Sequence, residues 1–297
     1  MSIAKEQVTV VVPTLNEEDA IGQVLDDLRK VGFQNIIVID GYSTDRTPAI
    51  VRSKGVGLVM QNGPGKAGAI TTAIDYANTP YMLVMDGDGT YSSEDAERLL
   101  QSEEFDEVIG ARVKGRENIP RVNRLGNWLL SKLFQSVFVT PITDVCSGMY
   151  SLRTDFAKTL QIGSTSFDVE VEIASQVASM GRITQVPITY RRRIGDQKLR
   201  SFSDGTRILR TLIWMASFYN AGLFFGMIGA LAAIPGIALL LLAAYQELVY
   251  DTFLPWHLVV AVILLLIALQ GGSLALMSVL FKRSEHRIIK RLEEIRK

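Results

Sequence analysis

The chain has 297 residues, 48% of them hydrophobic, with 31 Lys and Arg balanced by 31 Asp and Glu. A net charge of zero gives no overall basic field to argue for nucleic acid. A lone cysteine, Cys146, excludes an internal disulfide or a cysteine metal cluster and fits a reducing compartment, and with only His257 and His286 a histidine triad or zinc site has little basis, so chemistry must rest on carboxylates and cations.

The first twenty residues hold no positively charged start followed by an apolar run, so we expect no cleavable signal peptide and an N-terminal part that stays where it is synthesised. Up to about residue 110, short apolar runs alternate with longer amphipathic ones. "QVTVVVP" precedes a helical stretch from Glu17 to Val31, "NIIVID" a helix after Thr47, and "VGLVMQ" a helix from Lys66 to Ala77. "YMLVMD" then precedes a helix after Ser93, and "DEVIGAR" follows. Continuous Val, Ile and Leu runs mark strands covered on both faces, which predicts an α/β fold with a mostly parallel sheet. Ligands of such sheets bind beyond the carboxyl ends of the strands. Those ends carry Pro13 to Glu17, Asp40 to Asp45, and Asp86-Gly87-Asp88.

Residues 121–139 form a predicted helix with Leu125, Trp128, Leu129, Leu133 and Phe134 crowded on one side. A second stretch, "GTRILRTLIWMASF" at 205–218, combines cations with bulky apolar residues in the same way. Each reads as an ordinary core helix or as a helix lying in a membrane interface. Residues 219–244 and 253–281 contain no charged side chain, and each is long enough to cross a hydrocarbon core of roughly 30 Å at about 1.5 Å per residue. We read them as a transmembrane hairpin rather than a buried helix pair, because soluble helices of that length nearly always carry a polar face. The connecting loop "YQELVYDT" has acids and no Lys or Arg, whereas the tail 282–297 is rich in both. That asymmetry predicts a multi-pass protein of the cell membrane with both termini cytoplasmic. Gly222, Gly226 and Gly229 in the first span and Gly271, Gly272 and Ser273 in the second form small-residue faces, which serve either packing within the hairpin or a homo-oligomer.

Asp86 and Asp88 stand two apart at the exit of an apolar strand, and we expect Gly87 and Gly89 to permit a tight turn there. Carboxylates that close repel and call for a cation. With no His or Cys nearby the ligand set is all oxygen, suiting Mg²⁺ or Mn²⁺ shared with substrate phosphates. As a bare pattern D-x-D is common; at a strand exit in a doubly wound sheet it points to a nucleotide diphosphate. Asp40 also reads as a strand-ending turn residue, and Asp45 as an N-cap before the helix at Thr47. Lys66, in "GPGKAGAI", lies in a glycine-rich stretch that opens a helix, which makes it a candidate to meet a substrate phosphate, although the stretch lacks P-loop spacing.

Taken in order, "VVPTLNEE", "DGYSTDRT", "GKAGAI", "DGDGTY", "DVCSGMYSLR" and "YRRRIGDQKL" resemble the family 2 glycosyltransferases of the glycosyltransferase-A fold, within them the polyprenyl- and dolichyl-phosphate hexosyltransferases, over residues 7 to 205. The resemblance implies that Pro13, Asn16 and Glu17 line a nucleotide pocket and that Asp40 and Asp45 hold base and ribose. It implies that Arg112, Arg124, Arg193 and Lys198 serve the acceptor phosphate and the departing diphosphate, although Arg191, Arg192 and Arg193 also read as a solvated charge run. Where the family often has a metal-holding glutamine, this chain has Thr90. Asp144 and Asp168 are candidate bases or orienters of arginine, with orientation favoured for Asp144; Asp168 also reads as a first-turn acid.

The implied reaction is an inverting, metal-dependent transfer of a hexose from a nucleotide-sugar donor to a polyprenyl or dolichyl phosphate, with the motifs leaning toward UDP-glucose or a relative over GDP-mannose. A polysaccharide synthase would carry Q-x-x-R-W before its spans, and a sugar nucleotidyltransferase a G-x-G-x-R start; neither is present. A non-catalytic scaffold binding a nucleotide-sugar stays open. The expected organisation is a catalytic domain at 1–204, an interface helix at 205–218, the hairpin at 219–281 and a basic tail at 282–297.

Overall fold

A computed structural model describes residues 2–101, 103–163, 169–195, 213, 217, 220–251 and 254–296, with backbone only for 282, 283 and 285–296. The chain divides into two units, Met1–Ile213 and Trp214–Lys297.

In the first unit the apolar runs become strands β1 (Val8–Thr14), β2 (Ile36–Asp40), β3 (Gly57–Met60), β4 (Tyr81–Val84) and β5 (Glu107–Lys114). Two later strands complete the sheet: β6 (Tyr150–Arg153) and β7 (Ile183–Thr189). The strand order is β3-β2-β1-β4-β6-β5-β7. β6 pairs antiparallel with β4 and β5, and every other pairing is parallel. The carboxyl ends of β1 to β5 and β7 therefore share one edge, and β6 begins at that edge.

The helices between them are α1 (Ile21–Lys30), α2 (Thr47–Ser53), α3 (Gly65–Tyr76), α4 (Ser93–Leu99), α5 (Arg121–Phe138), α6 (Thr154–Ala157) and α7 (Val169–Met180). β1 explains the layering, because its side chains alternate between faces and both are covered. Val8, Val10 and Val12 pack with Leu25 and Leu28 of α1, Val51 of α2 and Leu99 of α4. Val11 points the other way, into Ile70 of α3, Phe134 of α5 and Ile173 of α7. β7 closes the sheet as an edge strand, which tolerates Pro187 because an edge residue has no second ladder to feed.

Helix α5 corrects one grouping made from sequence. Phe134 is fully buried, whereas Leu125 and Trp128 are 66% and 57% exposed and Leu129 and Leu133 are also exposed. The bulky residues thus split between a core face and an uncovered apolar face.

The second unit contains α8 (Ala221–Tyr250) and α9 (Pro255–Arg296). Residues 221–250 and 255–281 are long and apolar enough to cross a membrane. Helix α8 runs six residues beyond the expected end of the first span, since Gln246, Glu247 and Leu248 are good helix formers. The small-residue faces meet inside the hairpin. A Cβ added at Gly271 would stand 2.8 Å from the Phe225 carbonyl and 2.9 Å from Gly229 Cα, and one at Gly229 would stand 3.0 Å from the Ala268 carbonyl. Gly222 and Gly226 likewise face Ala275. Small residues here let two backbones approach within one chain.

Two adjacent glycines separate this packing role from a general tolerance of the helix. Gly271→Ala is expected to lower the Tm of the detergent-solubilised protein, overpacking costing about 1–3 kcal/mol. Gly272→Ala, where nothing lies within 4 Å of the added carbon, is expected to leave it unchanged. Equal melting of the two variants would contradict the hairpin contact.

Candidate active site

After β4 the Met85 N–H still donates to the Val11 carbonyl at 3.0 Å, so the chain stays beside β1 for one more residue before Asp86 emerges at the sheet edge. Gly87 is there for space rather than for a turn. Its φ is not positive, and a Cβ would meet Thr14 Cγ2 at 2.8 Å and Val12 Cγ1 at 3.2 Å. Gly89 makes the turn, with φ of 75° in the left-handed region that glycine occupies freely. Asp88 Oδ1 then accepts from the Thr90 N–H at 3.0 Å and the Thr90 hydroxyl at 2.6 Å, which fixes its rotamer.

Each aspartate carries a protein cation. Lys66, the second residue of α3, reaches Asp86 Oδ1 at 2.5 Å and Glu170 Oε1, in the first turn of α7, at 2.6 Å. Arg193, four residues beyond β7, reaches Asp88 Oδ2 at 2.6 Å through Nη1 and Glu17 Oε1 at 2.7 Å through Nη2. Its Nε is buried with no partner among the described residues. Burial works against the Lys66 ammonium, but the charges of Asp86 and Glu170 outweigh it and hold its pKa well above the usual range. Desolvation pushes the Asp86 and Glu170 carboxyls up, and the charge of Lys66 opposes it in both.

The segment after β7 is laid across this turn by backbone bonds. Arg191 N–H donates to the Thr90 carbonyl at 2.7 Å and Ile194 N–H to the Asp88 carbonyl at 3.2 Å. Arg191 turns away to Ser92 and Glu94, while Arg192 and Arg193 line the cavity. The charge run thus divides into an outward member and two inward ones.

At the end of β5, Arg112 and Asp144 form a buried two-pronged pair: Nε to Oδ2 and Nη2 to Oδ1, both at 2.7 Å. The Arg112 N–H also donates to Asp144 Oδ2 at 2.9 Å, and Nη2 to the Cys146 carbonyl at 3.1 Å. The guanidinium carbon lies 5.4 Å from the centre of the Tyr190 ring. Asp144 is therefore engaged in orienting Arg112. Burial, reinforced by Asp144 and opposed by Arg112, pushes the Cys146 thiol up to about 12, which leaves it protonated and unreactive.

These residues surround a cavity of about 650 Å³. Pro13, Glu17, Lys66, Asp86, Asp88, Arg112 and Arg193 all line it. Other expected residues shape its rim from behind. Asp40 is fully buried and holds the loop after β2, accepting from the Ser43 hydroxyl at 2.6 Å and the Ser43 N–H at 2.8 Å. Asn16, at φ of 52°, accepts from the Thr44 N–H at 2.7 Å. Asp45 accepts from the Thr47 N–H at 2.9 Å and the Glu18 N–H at 3.1 Å; the N-cap of α2 is Arg46 rather than Asp45, which braces the helix start from one residue before it. Arg124 is exposed on α5 and does not line the cavity, although Asn123 and Asn127 of that helix do. Lys198, Asp168 and most of 205–218 lie outside the described residues.

Sequence reasoning missed Glu170, Gln61, Tyr91 and Tyr190 as lining residues. The signal for Glu170 was present in "FDVEVE", where an acid in a helix's first turn has two readings, dipole complement or ion-pair partner. It showed only when Lys66 was brought alongside.

The all-oxygen pair suits a hard divalent cation. Gly148 keeps the Asp86 side clear, since a Cβ there would run into Asp86 Oδ2. No group of three or more His, Cys, Asp or Glu suited to a metal occurs among the described residues. Thr90 spends its hydroxyl on Asp88, so further ligands would come from substrate phosphate and water.

Comparison with known proteins agrees with this architecture. Residues 9–160 match glycosyl transferase family 2. The chain is 34% identical to glycosyltransferase AglJ of Haloferax volcanii, over 98% of each chain. It is 32% identical to a dolichyl-phosphate hexose transferase of the same organism, over 70% of this chain and 93% of that one. Among solved structures, glucosyl-3-phosphoglycerate synthase from Mycobacterium tuberculosis in complex with Mn²⁺, UDP and glucosyl-3-phosphoglycerate superposes with a TM-score of 0.59 at 21% identity, over 71% of this chain and 80% of that one. The chain belongs to glycosyl transferase family 2 and is a glycosyltransferase with a glycosyltransferase-A fold. Within the family its likeness falls to the dolichyl-phosphate hexosyltransferase subgroup.

The Arg112–Asp144 pair supplies a stability test. Asp144→Asn leaves a buried guanidinium without its counter-charge, and breaking a buried pair costs about 3–5 kcal/mol. Thermal melts of the full chain in detergent are expected to fall by many degrees; a parental Tm would contradict the structural role of the pair.

Proposed function

We propose that the enzyme transfers a hexose from a nucleotide-sugar, UDP-glucose or a relative, to a polyprenyl or dolichyl phosphate at the cytoplasmic face of the membrane, with inversion at the anomeric carbon. The observation that carries this reading is the Asp86–Asp88 pair, flanked by Lys66 and Arg193, inside a 650 Å³ cavity at the carboxyl edge of the sheet. That volume suits a nucleotide-sugar. The names of the dolichyl-phosphate hexose transferase relative and of the UDP-bound structural relative support the acceptor and donor classes.

An acceptor phosphate oxygen attacks the anomeric carbon as the bond to the donor diphosphate breaks, and the diphosphate leaves with that bond's electron pair. A lipid phosphate has a second pKa of about 6, judged from phosphate monoesters on proteins, so it arrives mostly ionised at neutral pH and needs no strong base. The commitment of Asp144 to Arg112 and the raised Cys146 thiol are consistent with a site that supplies none. Lys66 and Arg193 offer positive charge to the diphosphate, and Arg193 Nε is a donor still to be used. Asp86 and Asp88 would hold Mg²⁺ or Mn²⁺, whose chemistry is to neutralise charge on the departing oxygens.

The apolar hairpin and the uncovered Leu125, Trp128, Leu129 and Leu133 face of α5 support a bilayer as the setting. With the basic tail and acidic loop, they favour cytoplasmic termini. Asn16, Asp40 and Asp45 contribute to donor binding by shaping the loops around it, and Lys198 and Arg124 remain proposed acceptor-side cations.

Two measurements test the assignment. Asp88→Asn and Asp86→Asn keep side-chain volume and are expected to lower sugar transfer at least about 10²-fold without loss of fold. Near-normal turnover in both, with chelator controls, would remove the metal-site assignment. For Arg193→Ala we expect turnover to fall about 10²-fold, the scale of losing one transition-state donor, while calorimetry finds UDP affinity changed only a few-fold. Collapse of UDP affinity with turnover unchanged at saturating donor would assign Arg193 to holding the bound donor rather than to the charge that develops on the leaving diphosphate.

A further inference from the structure

Each of the two site cations is shared in the same way: one carboxylate from the strand-end pair and one glutamate from outside it. Lys66 lies between Asp86 and Glu170, and Arg193 between Asp88 and Glu17. A Lys–Asp or Arg–Asp pair alone would already balance its charge. Among the described residues these ion pairs set two carboxylates against each cation, and Lys66, Asp88 and Glu170 have side chains less than 10% exposed. Burying uncompensated carboxylate is expensive, several kcal/mol per ion by order of magnitude.

The surroundings of Glu170 sharpen the point. Beside it lie a second buried carboxyl, Glu107, at 2% exposure, and the Tyr150 hydroxyl. Glu107 Oε2 and Tyr150 Oη have no partner among the described residues. Burial and the charge of Glu170 push the Glu107 carboxyl well above the usual carboxylate range. Glu170 has one charged partner on this side, Lys66.

We infer that Glu170 and Glu17 are positioning residues that retain Lys66 and Arg193 when Asp86 and Asp88 turn to a divalent ion, so that both cations stay fixed beside the donor diphosphate. The inference rests on the reading of Asp86 and Asp88 as the metal-binding pair. Without the glutamates, each cation would have the aspartate as its sole carboxylate partner and would compete with the ion for it. Glu170 acts through Lys66, and Glu17 through Arg193.

The test is a double-mutant cycle read by Mn²⁺ binding, using electron paramagnetic resonance on the full chain in detergent with UDP present. Removing a group that supports a metal ligand typically weakens affinity 10–100-fold, and Glu170→Gln is expected to raise the Mn²⁺ Kd by about tenfold in the parent. In a Lys66→Met background, with the competing ammonium gone, the same change is expected to have almost no effect. Glu17→Gln serves as the internal comparison, since it acts through the other cation and should weaken Mn²⁺ equally in both backgrounds. An unchanged Kd in Glu170→Gln, or equal weakening with and without Lys66, overturns the inference while leaving the metal site standing. Failure of the parent to bind Mn²⁺ with UDP overturns both. If Glu170→Gln does not fold, Glu170→Asp, whose shorter arm draws away from Lys66, gives the same readout in the same two backgrounds.

Discussion

Two carboxylates cannot share the end of a buried strand without positive charge nearby, and most of the catalytic unit is arranged around that constraint. Asp86 and Asp88 stand side by side because β4 ends beside β1 and Gly87 lets the chain pass close to Thr14. Their charge draws in Lys66 from α3 and Arg193 from beyond β7. Through Arg193 the chain's last sheet segment is tied to Glu17 at the end of its first strand. Hydrogen bonds and ion pairs to charged groups in a low-dielectric interior are stronger than those in water, so this network holds the strand exits in register around one cavity.

The same electrostatics separate what was legible in the sequence from what was not. β1, β2, β4 and β5 were readable because covered strands become continuous Val and Ile runs, β3 because its Leu-Val-Met run keeps that pattern at the sheet edge, and the aspartate pair stood out against the apolar segment before it. β6 reads Tyr-Ser-Leu-Arg rather than a continuous Val and Ile run, and β7 alternates with a proline as an edge strand does, so neither carries that signature. Residue type announced Lys66 and Arg193 as cations but not their partners, since Lys66 is 20 positions from Asp86 and Arg193 is 105 from Asp88. Asp40, Asp45 and Asn16 read as ligand contacts in the sequence and hold the loops after β1 and β2, Asp40 within its own loop and Asn16 and Asp45 across to the other. A short polar side chain at a strand exit satisfies local backbone as readily as it meets a substrate.

In the hairpin unit, glycine spacing left two uses open, and local geometry favours one. Gly229 and Gly271 oppose each other so closely that side chains would collide, which accounts for the small faces without a second copy of the chain. Helix α5 of the catalytic unit shows the converse, with Leu125 and Trp128 left exposed by a helix whose other face is anchored by Phe134. Periodicity marked α5 as amphipathic; only burial told which apolar residues belong to the core.

The account's central claim is a metal-dependent transfer of hexose to a lipid phosphate, and the most direct measurement is a panel of radiolabelled nucleotide-sugars given to the purified full chain with a short polyprenyl phosphate. The account predicts that label from a UDP-hexose enters the lipid phase only when lipid phosphate and Mg²⁺ or Mn²⁺ are both present, with nucleoside diphosphate released in equal amount. Label that stays with the nucleotide across the whole panel, or transfer unaffected by chelation, would contradict it.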